Sequence, residues 1–262
     1  MYLDVLDMKR FYEQPLGQLV RTIVGHAVHA QWPNLSGMRV LSLGFPQPYI
    51  DPYIGQTERL LAAMPAPQGV MEWPASGPNR ALLVDECNLP LPDACMDRAL
   101  LVHTLDLSND SIAVLREIWR VLAPGGRILV VVPNRRSLWS QLETTPFGYG
   151  RPFSKGQLST FLREARFLPT AATSALHVPP LRSRLLLRSA NGLERIGRQL
   201  WPAFAGVLVV EAEKQIYQTV PKGARKAVHI LRPVFISDGP PTGTAGTSRR
   251  DPATPLERAP KD

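Results

Sequence analysis

Cysteine is nearly absent from this sequence: Cys87 and Cys95 are the only two among 262 residues. They form no CxxC pair and have no histidine pair nearby, so the sequence has neither a disulfide framework nor the ligand spacing of a zinc site. Cysteines this sparse are typical of buried or half-buried thiols in a reducing compartment. The sequence therefore argues against a small secreted disulfide-rich protein and against a structural zinc protein.

Long hydrophobic runs are also absent. No apolar run reaches the roughly 20 residues that a membrane-spanning helix requires. The first residues, MYLDVLDMKRFYEQ, carry acids where a signal peptide would have a basic segment and then an apolar one. Hydrophobic residues make up 44% of the chain, which is ordinary for a globular protein. We expect a soluble cytoplasmic protein with no membrane span.

Acidic residues are scarce toward the C-terminal part. The net charge is +8, and residues 182–232 hold ten Lys or Arg against three acids, a surplus of +7. This basic region could cover a cleft, bind a protein partner or touch an acidic surface. The predicted basic helix within it, 183–200, has no interleaved aromatic residues, so its charge argues only weakly for nucleic acid as a ligand, and nucleic acid is an unlikely partner. Residues 237–262 are rich in Pro, Gly and Thr with almost no apolar side chain, which predicts a disordered tail.

The clearest structural signal lies between residues 111 and 134. Apolar side chains recur there at three- and four-residue steps, which predicts an amphipathic helix. The turn residues 123–126, Ala-Pro-Gly-Gly, should stop that helix, with glycine serving as its C-cap. The unbroken β-branched and apolar run at 128–132 then predicts a strand covered on both faces. This combination is half of a right-handed βαβ unit.

The same reasoning places the other elements. A helical segment at 7–32 is divided near Pro15 or Gly17, and a short helix should begin at Asp51 with that residue as N-cap. Segment 57–65 predicts a strand, although its end could equally close a helix. His26 and His29 could share a helix face, but without a third ligand they are better explained as solvated side chains than as metal ligands. The remaining predicted strands are 38–44, 81–84, 99–103, 170–178 and 206–212, and the remaining predicted helices are 155–165, capped by Ser154, and a basic one at 183–200.

Two of these stretches carry a family resemblance. The wording RVLAPGGRILVVVP and the run from Asp85 to Asp97, with its Leu-Pro turn, occur in this order in the sequence. They resemble class I S-adenosylmethionine-dependent methyltransferases, in particular the type 11 group related to quinone-biosynthesis methyltransferases. The resemblance covers approximately residues 38–134 and extends weakly to 167.

The resemblance implies the architecture. We expect an α/β fold with a Rossmann-like, doubly wound, mostly parallel seven-stranded sheet, an antiparallel seventh strand, an N-terminal helix and a helical insertion. The implied organisation is an N-terminal helical segment at 1–36, a methyltransferase-like core at 37–176, the insertion and last strand at 177–236, and the tail at 237–262.

The resemblance also implies a site for S-adenosylmethionine. The family has a GxGxG turn after the first strand, but this chain reads Gly44-Phe45-Pro46-Gln47-Pro48, so the motif is degenerate and only its first glycine remains. The family's acid after the second strand is replaced by Met64, with Glu72 as a possible substitute. Asp85 matches the adenine-binding aspartate, while Asp97 matches a structural one. The implied cofactor-binding residues are Gly44, Met64, Asp85, Glu86 and His103, and the family's N-terminal helix makes Phe11 and Tyr12 weak candidates for lining the cleft.

An acceptor site should lie beyond the fifth strand. The loops there contain Arg135, Arg136, Trp139 and Tyr149, whose aromatic area and positive charge suit a substrate pocket, although a plain connecting loop would look the same. His103, expected at the mouth of the cleft, is a weak candidate for a catalytic base, and no catalytic residue is otherwise indicated.

Three functions follow from these observations. The leading one is methyl transfer from S-adenosylmethionine to a small or medium acceptor, with no metal. The lost glycines and missing acid favour instead a catalytically inactive methyltransferase-fold protein with a binding or regulatory role. The positive charge suggests, as a third alternative, an RNA-modifying methyltransferase.

Overall fold

The computed structural model of the protein describes residues 2–180 and 201–216, together with 192, 194, 197, 199 and 200. Most of the predicted insertion at 183–200 and the whole predicted tail at 237–262 lie outside these residues. The described elements belong to one compact unit, Met1–Thr219.

The centre of the fold is a seven-stranded sheet with the order β3-β2-β1-β4-β5-β7-β6. Neighbouring strands from β3 to β5 are parallel, whereas β7 is antiparallel to both β5 and β6. The predicted fold class, including the antiparallel seventh strand, is confirmed. The strands are β1 Arg39–Gly44, β2 Arg59–Pro65, β3 Ala81–Val84, β4 Met96–Val102, β5 Leu122–Pro133, β6 Phe167–Ala175 and β7 Val207–Lys214.

Helices cover both faces of the sheet. They are α1 Val5–Glu13, α2 Pro15–Gln31, α3 Gln47–Ile50, α4 Ser111–Val121 and α5 Lys155–Glu164. Along β5, Leu129 and Val131 join the core cluster beneath the first three helices, while Ile128, Val130 and Val132 join the cluster beneath α4 and α5. The unbroken apolar run therefore reflects a strand that is buried on both sides, as predicted.

The N-terminal helical segment divides where the sequence indicated. Gln14 is extended, with φ −75° and ψ 157°, and Pro15 begins α2. Proline suits the first helical position because its missing N–H would have no partner there. Gly17 lets the two helices approach closely, since a Cβ at this position would lie 2.0 Å from the Phe11 carbonyl oxygen.

Several element boundaries differ from the prediction. Helix α4 ends at Val121 because Leu122 is already extended and pairs with Met96; Gly125, with φ +71°, shapes the following turn and is not the C-cap. Strand β4 begins at Met96, so Asp97 lies inside it, and segment 59–65 is a strand throughout. Ser154 does cap α5, through a capping box with Gln157.

The short helix after β1 also begins earlier than predicted. Helix α3 starts at Gln47, and Asp51 begins only a single 3-10 turn. The Asp51 carboxylate makes tertiary contacts instead of capping a helix: it accepts hydrogen bonds from Trp73 Nε1 and Arg21 Nη2, both at 2.8 Å.

Candidate functional site

Gly44 is the residue at which β1 meets β4. Its φ is +94°, and a Cβ here would lie 2.1 Å from the Val102 carbonyl oxygen and 2.3 Å from Thr104 Oγ1. Only glycine tolerates both this backbone conformation and this approach. The first glycine of the degenerate motif thus has a structural role, whatever it also contacts.

The residue after it fills the space above the strand end. The Phe45 side chain is 2% exposed and stacks on Tyr12 of α1, with ring centroids 5.5 Å apart and planes 15° apart. The Phe45 amide donates to the Val102 carbonyl at 2.9 Å, which holds the turn against β4. The turn that the family uses to approach its cofactor is here packed against the chain's own N-terminal helix.

Tyr12 connects that helix to β4 through a buried polar network. Its hydroxyl lies 2.8 Å from Tyr49 Oη and 2.8 Å from His103 Nε2. Burial, followed by the neighbouring Tyr49, raises the pKa of Tyr12 well above its ordinary value. On the far side of the imidazole, His103 Nδ1 is 3.8 Å from Asp106 Oδ2. His103 does follow β4 as predicted, but it is fully buried beneath Tyr12 and has φ +53°.

The end of β3 carries the two predicted adenine-side acids. Asp85 is exposed, and its Oδ1 accepts from the Cys87 amide at 2.9 Å, so the carboxylate faces its own turn. Glu86 is buried and accepts from the Tyr2 hydroxyl; burial and this hydrogen bond raise the pKa of Tyr2. Cys87 is exposed, contrary to prediction, because it lies on the outer side of this turn.

Met64 is the last residue but one of β2 and is fully buried. Its Sδ accepts from the Met71 amide at 3.4 Å, so the following loop covers it. The loop residue Glu72, the suggested substitute for the missing acid, is exposed. The sequence indicated Met64 because it stands where the resembling family has its acid, but in the structure its side chain is part of the hydrophobic core.

Three residues at these strand ends hold polar atoms that have no hydrogen-bond partner in the described part of the chain. They are Gln47 (both side-chain atoms), Gln68 (Oε1) and Asp106 (both carboxylate oxygens), all buried. They follow β1, β2 and β4, and Gln68 Nε2 also donates to the Gly44 carbonyl at 3.1 Å. Buried polar groups are normally hydrogen-bonded, so these groups are candidates for contact with a ligand at this edge. Sequence analysis missed it, since nothing in the sequence shows that these side chains become buried.

The predicted acceptor-side residues differ in their exposure to solvent. Trp139 is 1% exposed and donates from Nε1 to the Val178 carbonyl at 2.7 Å, so it belongs to the core. Tyr149 is 39% exposed, and Arg135 and Arg136 are also exposed. Arg136 and Lys155 lie on the wall of a cavity of about 600 Å³ between the start of α5 and strands β6 and β7.

The helix α1 determines what this edge can accept. Tyr12 of α1 stacks on Phe45 beside the buried Gly44, so α1 covers part of the space over this edge, and a cavity of about 290 Å³ lined by Tyr12, Phe45 and Gln47 remains beside it. The unpartnered Gln47, Gln68 and Asp106 do fit a polar ligand once that space is open.

Sequence comparison identifies a methyltransferase domain in residues 59–130. Two curated proteins of Mycobacterium tuberculosis, from strains CDC 1551 and H37Rv, are named as probable S-adenosylmethionine-dependent methyltransferases. Each is 31% identical to this chain over 120 residues, which is 45% of the chain and 42% of the relative. The chain therefore matches less than half the length of these relatives.

Solved structures agree on the fold. An S-adenosylmethionine-dependent methyltransferase from Thermotoga maritima superimposes with a TM-score of 0.57 at 19% identity, covering 80% of this chain and 96% of that one. A chain of the Haloferax volcanii complex between the Trm112 methyltransferase activator and a methyltransferase gives 0.58 at 18% identity, covering 80% and 97%. Together with the sheet order, these findings show that the protein has the fold of class I methyltransferases and that residues 59–130 are similar to a methyltransferase domain.

Proposed function

We propose that this protein is an S-adenosylmethionine-dependent methyltransferase acting on a small or medium acceptor. The observation that carries the proposal is the cluster of unpartnered polar groups at the carboxyl ends of β1, β2 and β4. Ligands of open parallel sheets bind at this edge, where the strand order reverses. The methyltransferase domain match and the two mycobacterial relatives support the same activity.

S-adenosylmethionine, when bound, supplies a methyl group on a sulfonium that an acceptor displaces in line. The protein's part in such a reaction is alignment of the acceptor and exclusion of water. The proposed cofactor-side residues are Gly44, Met64, Asp85, Glu86 and His103. Asp85 is exposed, whereas Glu86 and His103 are buried and hydrogen-bonded to Tyr2 and Tyr12 of the N-terminal segment. The Tyr12 hydroxyl lies 2.8 Å from His103 Nε2, so a substrate reaches that nitrogen only after Tyr12 has moved away.

The acceptor side is proposed at the loops after β5. Arg135, Arg136 and Tyr149 are exposed there, and the cavity of about 600 Å³ at Arg136 and Lys155 has room for a medium-sized anionic molecule. Trp139 supports this region from the core, since its indole packs edge-on against Phe147 at 5.8 Å.

A non-catalytic role is the second candidate, and one observation favours it. Phe45 and Tyr12 stack where the family has a glycine-rich turn, and Asp85 faces its own loop. A protein permanently closed in this way would keep the methyltransferase fold for binding a partner. The basic region at 182–232 is the proposed partner surface, and the positive charge keeps an RNA-modifying role as a third prediction.

Calorimetry with S-adenosylmethionine and S-adenosylhomocysteine separates these functions. The proposed enzyme binds both and transfers radiolabelled methyl to an acceptor library. Absence of heat at millimolar ligand, together with absence of turnover, would reject the enzyme and leave the non-catalytic role. RNA binding that weakens steeply with salt would favour the third alternative.

The location of the protein in the cell is a further prediction. Within the described residues, no helix is both long and apolar enough to cross a bilayer. We keep the cytoplasm as the proposed compartment because Cys87 and Cys95 are both free thiols, as a reducing environment favours.

A further inference from the structure

The N-terminal segment touches the carboxyl ends of four consecutive strands of the sheet. Tyr2 donates to Glu86 after β3, and the Val5 amide donates to the Gln68 carbonyl after β2 at 2.9 Å. Tyr12 stacks on Phe45 after β1 and hydrogen-bonds His103 after β4. A segment of eleven residues, 2–12, therefore follows the edge along which the proposed cofactor would lie.

Helix α1 is built to dock there with one face. Val5, Met8, Phe11 and Tyr12 are buried, whereas the exposed positions carry charged side chains such as Asp7, Lys9 and Arg10. Among the described residues, one main-chain hydrogen bond joins α1 to the strand ends, from the Val5 amide to the Gln68 carbonyl, so α1 is held there mainly by side-chain packing. A short helix held in this way can leave as a unit.

The link between α1 and α2 fixes the docked position. One extended residue, Gln14, joins them, and the end of α1 lies directly on Gly17 of α2. A Cβ at position 17 would lie 2.0 Å from the Phe11 carbonyl oxygen and 2.6 Å from Tyr12 Cα. The angle between the helices that docks α1 on the edge therefore depends on the absence of a side chain at one residue.

Several buried polar groups near the strand ends lack a hydrogen-bond partner among the described residues while α1 is docked. Five of the seven buried side-chain nitrogen and oxygen atoms without a hydrogen-bond partner in the described residues belong to Gln47, Gln68 and Asp106. A permanent packing arrangement would be expected to pair such groups or replace them with apolar ones. Their presence points to a second state in which a polar ligand pairs with them.

We propose that α1 is an autoinhibitory plug. On the proposed methyltransferase function, the adenosyl cofactor binds only when residues 2–13 leave the strand ends, so docking of α1 and binding of the cofactor exclude each other. The measured affinity is then the intrinsic affinity reduced by the fraction of molecules in which α1 is undocked. Whatever stabilises the undocked helix activates the protein.

The substitution Gly17→Ala tests this proposal. The added methyl group cannot fit against the Phe11 carbonyl, so α1 must shift from its docked position, while α2 gains because alanine is the better helix former. Gly25→Ala is the matched control: it makes the same change in the same helix, but its Cβ lies 3.8 Å from the Tyr49 ring, an ordinary contact.

The measurement is calorimetric titration of the full chain with S-adenosylhomocysteine, combined with amide hydrogen exchange. We expect Gly17→Ala to bind about tenfold more tightly than wild type, as it would if one molecule in ten were undocked in wild type, and Gly25→Ala to match wild type. In wild type, adding the ligand should accelerate exchange of the Val5–Glu13 amides. Tyr2→Phe removes the hydroxyl that contacts Glu86 and Ser108, and it should tighten binding by about two- to threefold. This variant replaces Gly17→Ala as the test if Gly17→Ala does not fold.

The outcomes separate the plug from the proposed function. If wild type binds as tightly as both variants, or if the ligand slows exchange in α1, the plug is wrong while the function stands. If α1 exchanges faster in Gly17→Ala but none of the proteins binds the ligand at millimolar concentration, the plug and the function both fall.

Discussion

The two ends of the parallel strands differ in whether their polar side chains are hydrogen-bonded. At the amino ends, Asp97 of β4 accepts from the Arg39 amide at 2.9 Å, from Arg39 Nε at 3.0 Å and from Nη2 at 2.8 Å. At the carboxyl ends, Asp106 is buried with no hydrogen-bond partner for either carboxylate oxygen among the described residues. One aspartate has three hydrogen bonds at an accessible position, whereas the other has none at a buried one.

A second cluster near the amino ends repeats the contrast. Arg120, in the last turn of α4, donates to Glu117 and Asp93 and to the carbonyls of Leu89 and Leu91, at 2.6 to 3.0 Å. Full pairing of this kind stabilises a fold, while unpaired buried groups are retained where a ligand or a second state uses them. We infer that the paired groups at the amino ends stabilise the fold, whereas the unpaired groups at the carboxyl ends have a role in function.

The largest effect should come from Arg120→Ala. The substitution leaves the Leu89 and Leu91 carbonyls and the Glu117 carboxylate without their shared donor, so we expect a loss of about 3 kcal/mol in the free energy of unfolding. Urea denaturation measures it. Arg116→Ala, at an exposed position of the same helix, is the control and should cost less than about 0.5 kcal/mol. Equal losses in both variants would show that the loss comes from changing an arginine in α4 and not from the hydrogen bonds of Arg120.

Asp97→Asn should cost about 2 kcal/mol, because it removes the charge from three hydrogen bonds to Arg39. The hydrogen bonds from Arg39 hold the pKa of Asp97 below its ordinary value. A carboxylate with a lowered pKa contributes its stability above the unfolded-state pKa and loses it as the pH falls through the folded-state pKa.

The advantage of wild type over Asp97→Asn should therefore be full at pH 7 and shrink below about pH 4. Denaturation curves of both proteins across this range test the dependence. A difference that stays constant with pH would show that the side-chain shape, and not its charge, is what matters.

The same substitution at the carboxyl ends should have the opposite sign. Asp106→Asn replaces a fully buried carboxylate that lacks hydrogen bonds with a neutral group of the same shape, so we expect a gain of about 1 kcal/mol in unfolding free energy. The gain should come with weaker binding of S-adenosylhomocysteine. If Asp106→Asn is as destabilising as Asp97→Asn, the two ends do not differ and the carboxyl-end cluster is structural.

The sequence predicted the sheet well because its signals are local. The apolar run at Ile128–Val132, the capping serine at Ser154 and the proline at Pro15 each depend on neighbouring residues, and each appears in the structure where it was expected. Boundaries failed where tertiary pairing decided them, as at Leu122, which joins Met96 in the sheet instead of extending the helix.

The site was predicted less well because its contacts join distant residues. Phe45 was recognised as part of a departure from the family turn, but only the structure shows Tyr12 stacked on it. Tyr2 gave no sequence signal at all, although it reaches Glu86. The roles of the predicted cofactor and acceptor residues stay predictions. The burial of Trp139 in the core, where it is 1% exposed, is a tertiary property that the sequence did not indicate.

The position of α1 in the chain has a consequence for folding. Helix α1 precedes every strand, yet Tyr2 must find a partner 84 residues later and Tyr12 one that is 91 residues later. These separations are comparable to the pairing of β5 with β7, in which Arg127 and Glu213 are 86 residues apart. During synthesis, α1 therefore leaves the ribosome well before the strand ends that it covers, and its contact with His103 can form only after residue 103 has been made.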